Sequence, residues 1–161
     1  MRAMPGTCWI RRAALEDLLA EARRWPLRET GGALLGRRKG ELTVVETVLG
    51  PGPGASHGYS HFEPDGAWQQ VQGERIYAQS GRTVAYLGDW HTHPRGGPYP
   101  SGQDRHTARM IARDVAFRAP WPLYAIAAKR WYQLREPGWT LRMLELREGE
   151  LVEVELLTLE D

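Results

Sequence analysis

The sequence predicts a single domain of the α/β class, with helices and strands mixed along the chain. Two segments carry apolar residues at helical spacing, a third has helix start and stop signals, and short apolar runs of strand type lie between them. The chain has 161 residues, and a domain of this length buries roughly two thirds of its unfolded surface. A net charge of +1 and 42% apolar residues exclude a strongly basic nucleic-acid-binding protein and a highly charged disordered chain.

The first half of the chain is predicted to contain two helices and a hairpin. Residues 13–25 form an amphipathic helix, with acidic residues early and basic residues late, that a proline ends. The strands 31–36 and 42–48 flank a polar turn and form a hairpin. The Gly- and Pro-rich segment 50–58 is predicted to hold no regular element, and a second helix follows over 64–79.

The second half is predicted to contain a buried strand that leads into two histidines, a third helix and an outer meander. Residues 83–88 form the strand, which runs directly into His91 and His93. After a Gly- and Pro-rich connection, a helix opens at Ser101 and carries its apolar residues on one face. The remaining strands are expected at 123–128, 131–134, 140–146 and 151–159, the last of them half exposed.

The sequence contains a single cysteine and shows no targeting signal. The only cysteine, Cys8, cannot form an intramolecular disulfide, a thiolate zinc site or an iron–sulfur cluster, which fits a reducing compartment. No apolar run of signal-peptide type follows the N-terminus, and no stretch is long enough to cross a membrane. We therefore expect a cytoplasmic protein in which Cys8 is a small buried residue of the first strand.

Two histidines and one aspartate have the spacing of a metal site. His91 and His93 lie two residues apart on an extended segment, so both imidazoles leave the same face of the strand. Asp104 lies one turn into the next helix, and the connection 94–100 allows that turn to fold back over the strand end. Two imidazoles and one carboxylate are a ligand set typical of a catalytic zinc site, in which water takes the fourth position.

Each half of this pattern also has a plainer interpretation. A His-x-His pair is more often only the polar face of a strand. Ser101-x-x-Asp104 before an apolar helix is often only a capping box, in which each residue satisfies a backbone amide of the other. The two halves joined at this spacing are far more specific than either one alone.

This pattern resembles that of a known family. His91-x-His93-Pro94, six further residues and Ser101-x-x-Asp104, with Glu-Thr-Gly-Gly-Ala-Leu-Leu-Gly upstream at 29–36, resembles the JAMM motif of the JAB1/MPN/Mov34 metallopeptidases. Residues 88–94, Gly-Asp-Trp-His-Thr-His-Pro, are most similar to the small prokaryotic JAB proteins found beside bacterial ubiquitin-like conjugation genes.

The resemblance implies a specific fold. It is a mixed sheet flanked by helices, related to the cytidine deaminases, in one JAMM/MPN domain that spans 1–161. The motif-bearing core covers about 13–128, and the C-terminal strands follow over 131–159. Base deamination is disfavoured, because deaminases generally hold zinc with cysteine thiolates and Cys8 lies far from the motif.

The resemblance also implies the roles of the site residues. His91, His93 and Asp104 would hold one Zn²⁺ per chain. Glu29 would be the general base that takes a proton from the attacking water and later delivers one to the leaving amine. Ser101 would donate a hydrogen bond to the developing oxyanion.

The substrates implied by the resemblance are extended tails of ubiquitin-like proteins, often ending in glycines. The activity would be deconjugation or precursor maturation, with activating and conjugating enzymes of the same operon as further partners and with no nucleic acid or membrane. Trp90, Arg95 and Tyr99 border the motif and are predicted substrate contacts. The 50–58 loop is either one wall of the tail-binding cleft or merely disordered.

Other functions stay open. Within the family, the alternatives are processing of the tail of a sulfur-carrier protein and amide hydrolysis of a small peptide. A metal-free MPN scaffold is a different class, and the presence of all five motif residues argues against it. A DNA-repair-associated relative usually carries Asn between the histidines and Ser-Gly after the proline, where this chain has Thr92 and Arg95-Gly96.

Charge is unevenly distributed along the chain. Residues 145–161 contain seven acidic residues and one basic residue, so the preceding part carries a net charge of +7. Either the basic body attracts an acidic partner, or the two parts balance one another.

Overall fold

The structure is a computed structural model that describes residues 6–129 and 138–161. Along this part of the chain the elements are β1 (Thr7–Arg11), α1 (Arg12–Arg24), β2 (Gly31–Lys39), β3 (Leu42–Leu49), β4 (Ser56–His57), β5 (Phe62–Glu63), α2 (Gly66–Gln79), β6 (Ala85–His93), α3 (Gly102–Arg113), β7 (Leu123–Lys129), β8 (Trp139–Arg147), β9 (Glu150–Glu153) and β10 (Glu155–Leu159). No helix within these ranges has the length and apolar character that a membrane span requires.

Eight of these strands form one mixed sheet in the order β10-β1-β3-β2-β6-β7-β8-β9. β1 runs parallel to both of its neighbours and β6 runs parallel to β7, whereas the other neighbours are antiparallel. The two end strands, β9 and β10, are separated in sequence only by Val154. The sheet must therefore curl until its ends come together, and the predicted α/β fold with helices flanking a mixed sheet is confirmed.

Helices cover the sheet with their apolar stripes. α1 buries Leu18 against Ile10 of β1, in a core that also contains Trp90 of β6. α3 packs Ala108 against β7 and β8, and α2 packs Trp68 and its neighbours against β2 and β3. Cys8 is also fully buried in this core, as predicted.

The predicted elements differ from the structure in two places. The segment 50–58 was expected to be irregular throughout, but it contains β4, which pairs with β5 in a small hairpin of its own. The expected last strand, 151–159, is two strands, because Val154 turns inward, is 4% exposed, and donates its N–H to the Met143 carbonyl oxygen at 3.0 Å. The expected strand 131–134 lies outside the described residues.

Two glycines bring the start of β2 close to its neighbours β6 and β3. A Cβ at Gly31 would lie 2.4 Å from the Trp90 carbonyl oxygen and 2.9 Å from His91 Cβ. A Cβ at Gly32 would lie 1.8 Å from the Leu49 carbonyl oxygen. Only glycine permits such close strands, and the residues just before β2 thereby reach the end of β6 that carries the histidines.

The acidic C-terminal part of the chain pairs with the basic body. Five of its seven acidic residues form ion pairs with arginines outside the segment 145–161: Arg11–Asp161, Arg12–Glu160, Arg38–Glu145, Arg109–Glu150 and Arg142–Glu153. The two parts therefore balance one another inside the molecule, which was one of the two expectations from the sequence.

Candidate metal centre

His91, His93 and Asp104 come together at the carboxyl end of β6. The two Nε2 atoms lie 2.8 Å apart, His91 Nε2 lies 3.1 Å from Asp104 Oδ1, and His93 Nε2 lies 3.2 Å from Asp104 Oδ2. One donor atom from each residue lies within 4.8 Å of the other two. Their convergence is the arrangement that the sequence pattern predicted.

Local structure explains why these side chains converge. The histidines occupy alternate positions of β6, in register with Ile126 and Ala128 of β7, and so project from one face. Asp104 lies in the first turn of α3, whose N-terminus is brought beside the strand end by the connection 94–100. His91 and Asp104 are 7% and 6% exposed, so the cluster is largely shielded from solvent.

The Asp104 carboxylate takes part both in the capping box of α3 and in the cluster with His91 and His93. Ser101 Oγ accepts a hydrogen bond from the Asp104 N–H at 3.1 Å, and Asp104 Oδ2 accepts one from the Ser101 N–H at 2.7 Å. Tyr124 donates its hydroxyl to Asp104 Oδ1 at 3.3 Å. Burial would raise the pKa of Asp104, but the adjacent His91 and His93 imidazoles outweigh it and hold that pKa well below its ordinary value.

Hydrogen bonding also orients His93. Its Nδ1 lies 3.0 Å from the Gly97 carbonyl oxygen, which can only accept, so Nδ1 carries the proton and Nε2 is free to act as a ligand atom. The buried Nδ1 of His91 has no hydrogen-bond partner among the described residues. Two imidazole nitrogens and a carboxylate crowded in this way repel one another unless a cation or a proton lies among them. The donor set and its convergence therefore fit a divalent first-row metal ion.

Glu29 faces the same cleft from the segment before β2. It is half buried, its N–H donates to the Gly58 carbonyl oxygen at 2.7 Å, and His57 Nδ1 donates to its carbonyl oxygen at 3.0 Å. Burial raises the pKa of the Glu29 carboxyl, and the nearby His91 and His93 partly offset this effect. A carboxylate with a raised pKa in a cleft is suited to accept and release a proton.

Ser101 is exposed at the edge of the cluster. Its hydroxyl oxygen accepts from the Asp104 N–H, and no acceptor among the described residues takes the hydroxyl proton. The proton is therefore free to be donated to a ligand in the cleft.

A cleft of about 600 Å³ is lined jointly by Glu29, Ser101 and the three clustered residues. Of the predicted substrate contacts, Trp90 and Arg95 also line it. Trp90 is 1% exposed and donates its indole N–H to the Leu49 carbonyl oxygen at 3.0 Å, so little of its surface is available to a substrate. Tyr99 is 67% exposed on the connection after His93, where the Arg142 guanidinium lies 4.9 Å from its ring centroid.

Sequence reasoning missed two contributions to the site. Tyr124 supports Asp104 and packs its ring edge to face with His91, at 5.0 Å between centroids. A tyrosine inside the apolar strand 123–128 was the available signal, because a buried tyrosine hydroxyl usually finds a polar partner. The β4–β5 hairpin lines the cleft through Tyr59 and Phe62, and the composition of the 50–58 loop gave no indication of its geometry.

Comparison with known proteins decides the family. Residues 11–143 match the model of the family described as prokaryotic homologs of the JAB domain. The chain belongs to the prokaryotic JAB family. Both the resemblance to the JAMM metallopeptidases and the predicted enzyme class, a metallopeptidase, are thereby confirmed.

Individual relatives agree with this assignment. The chain is 38% identical over 122 residues to the probable metalloprotease y4qB of Sinorhizobium fredii, covering 74% of each chain. It is 34% identical over 110 residues to a CD-NTase/cGAS isopeptidase of Pseudomonas aeruginosa, covering 68% of this chain and 70% of the relative. It is 37% identical over 81 residues to another CD-NTase/cGAS isopeptidase, from Vibrio cholerae, covering 50% of this chain and 52% of the relative.

A solved structure supports the fold of this JAB-family chain. Protein DSY2949 of Desulfitobacterium hafniense superposes with a TM-score of 0.71 over 96% of this chain and 94% of that one. The two are 23% identical, so the likeness concerns the fold alone.

Proposed function

We propose that this chain is a zinc-dependent isopeptidase or peptidase that cleaves after the C-terminal tail of a ubiquitin-like protein. The observation that carries the proposal is the convergence of His91, His93 and Asp104 in the cleft that Glu29 and Ser101 also line. Both deconjugation from a target and maturation of a precursor fall within this activity, since each breaks an amide bond after the same tail.

The three clustered residues hold the zinc ion in this proposal. Two neutral imidazoles and one carboxylate are a ligand set typical of catalytic zinc, with room left for water and substrate. When bound, zinc would acidify a water molecule and polarise the scissile carbonyl. Asp104 keeps its orientation during this chemistry because Ser101 and Tyr124 both donate hydrogen bonds to its carboxylate.

Glu29 is the proton carrier. Its carboxylate accepts a proton from the attacking water and later delivers a proton to the nitrogen of the leaving amine. The raised pKa of Glu29, caused chiefly by burial, brings it closer to the range where both steps are efficient.

Ser101 stabilises the oxyanion. When water adds to the scissile carbonyl, negative charge develops on the carbonyl oxygen, and the free hydroxyl proton of Ser101 is available to donate to it. The hydroxyl is held in place by the Asp104 N–H, so little reorganisation accompanies the donation.

The relatives favour the C-terminal tail of a ubiquitin-like protein, the modifier, as the substrate. Three features support it: the names of the Pseudomonas and Vibrio isopeptidases, the open cleft, and the hairpin that borders it. An extended glycine-rich tail presents little bulk and can lie along the cleft with its scissile carbonyl at the cluster. Activating and conjugating enzymes encoded in the same operon are the expected partners.

The test uses any ubiquitin-like protein that is encoded beside this gene. The chain, loaded with zinc, is incubated with that protein carrying either a C-terminal extension or a lysine-linked target peptide, and mass spectrometry identifies the cut bond. We expect cleavage directly after the tail, and Glu29→Gln should leave both substrates intact. If neither substrate is cut but a sulfur-carrier protein with an extended tail is, the modifier assignment is wrong and the sulfur-carrier function replaces it.

A further inference from the structure

Two arginine side chains contact the same aromatic ring at the edge of the cleft. The guanidinium carbons of Arg28 and Arg95 lie 5.2 and 5.1 Å from the centroid of the Tyr59 ring. Arg28 Nη1 also donates to the His57 carbonyl oxygen at 3.3 Å. Tyr59 is 55% exposed, so the group is open to solvent and to a ligand. We refer to Arg28 and Arg95 as the arginine pair.

The arginine pair borders the reaction site. Arg28 directly precedes Glu29, Arg95 follows His93 by two residues, and both Arg95 and Tyr59 line the cleft. A peptide that places its scissile bond at the clustered histidines can therefore reach these guanidinium groups.

The two positive charges are left uncompensated by acidic side chains. Among the described residues, neither Arg28 nor Arg95 lies within ion-pair distance of an Asp or Glu, whereas arginines such as Arg109 and Arg142 do. Two guanidinium groups held near the same ring repel each other, and contact with the ring face offsets only part of that repulsion. An anion bound close to both would lower the electrostatic energy of both.

We propose that the arginine pair binds a carboxylate of the peptide substrate, a specificity contact that rests on the peptidase function proposed above. Guanidinium groups match the planar carboxylate with two parallel hydrogen bonds. The carboxylate belongs either to an acidic side chain near the scissile bond or to the free C-terminus of a short extension. The acidic Glu29, Glu63 and Asp104 in the same cleft disfavour a polyanion, so a single carboxylate is the fitting ligand.

Equilibrium binding of short peptides tests the contact. The peptides are fluorescently labelled pentaglycines in which one position at a time is replaced by Glu. A matched peptide carries Gln at the same position. Each peptide is made with a free C-terminus and with an amidated one. Anisotropy is measured with the zinc-loaded Glu29→Gln protein, so that no peptide is consumed. We expect a Glu side chain at one position, or the free C-terminus, to tighten binding about 3- to 10-fold over its neutral match.

Matched variants assign the effect to the arginine pair. Arg28→Gln/Arg95→Gln in the same background should abolish the preference, whereas Arg113→Gln, an exposed arginine on α3, should retain it. Equal binding of acidic and neutral peptides, no measurable binding of any acidic peptide, or a preference that survives the double variant would overturn the inference. Cleavage of the same peptides by the wild-type protein separately tests the peptidase function.

Discussion

At the scale of single residues, Asp104 combines a structural role and a chemical role. Its Oδ2 closes the capping box at the start of α3 and also contacts His93, while its Oδ1 contacts His91 and accepts from Tyr124. The helix start thereby fixes the orientation of the carboxylate toward the histidines. The two interpretations of the Ser-x-x-Asp sequence are thus compatible, because the cap is the means by which the carboxylate is positioned.

Tyr124→Phe tests the support that this carboxylate receives. The change removes one hydroxyl and keeps the ring against His91, so the fold should persist while zinc affinity falls about tenfold. Affinity is measured by competition with a chromophoric chelator. Tyr86→Phe is the control, because Tyr86 is also largely buried and donates its hydroxyl to Asp89, which lies outside the cluster. Equal zinc affinity in wild type and Tyr124→Phe would contradict the role.

Glu29→Gln separates proton transfer from metal binding. The amide is nearly the same size but cannot accept a proton from water, so turnover should fall by roughly 10²- to 10⁴-fold while the zinc content stays that of wild type. Turnover is measured on the tailed substrate and zinc by elemental analysis. Glu63→Gln, another carboxylate of the same cleft, should keep most activity. A Glu29→Gln protein of near wild-type activity would exclude Glu29 as the base.

Cys8 should be chemically inert in the folded protein. Burial raises the pKa of its thiol to about 12, so at neutral pH the reactive thiolate is absent and the sulfur is also inaccessible. Iodoacetamide should leave Cys8 unmodified and cleavage activity unchanged, as mass spectrometry and the cleavage assay would record. Rapid alkylation of the native protein with loss of activity would show that a thiol takes part in the reaction.

At the scale of elements, local patterns predicted most of the helices and strands. α1 and α3 follow from their apolar stripes, and β6 and β7 from their apolar runs. The break at Val154 and the β4–β5 hairpin were not predictable, because both depend on pairing between distant strands rather than on local preference. Residue spacing predicted the ligand cluster because its three residues come from one continuous segment. It did not predict Tyr124, because this residue lies on a neighbouring strand and reaches the cluster only through strand pairing.

Two glycine substitutions test how closely the strands approach. Gly32→Ala would place its Cβ against the Leu49 backbone, so it should lower the free energy of unfolding by at least about 1–3 kcal/mol. Gly73→Ala, within α2 and with open space around the added methyl, should raise it by about 0.5–1 kcal/mol. Urea denaturation measures both. A Gly32→Ala protein as stable as wild type would show that β2 and β3 lie farther apart than described.

At the scale of the whole molecule, curling of the sheet and ion pairing act together. The chain passes from β9 to β10 through one residue and so joins the two ends of the sheet, and the acidic end of the chain then lies against basic residues of the body. The net charge of +1 therefore arises from two oppositely charged parts that neutralise each other. Arg28 and Arg95 at the cleft take no part in this balance, since neither has an acidic partner in the part of the chain that the structure describes.

The zinc content of the purified protein is the most direct test of the metal centre. Elemental analysis after exhaustive dialysis should find about one zinc per chain in wild type and in Glu29→Gln, and far less in His93→Ala and Asp104→Ala. Circular dichroism of the same samples checks that the variants remain folded. A wild-type protein without zinc that also fails to bind added zinc, or a folded Asp104→Ala protein with undiminished zinc, would contradict the assignment of these residues as the metal site.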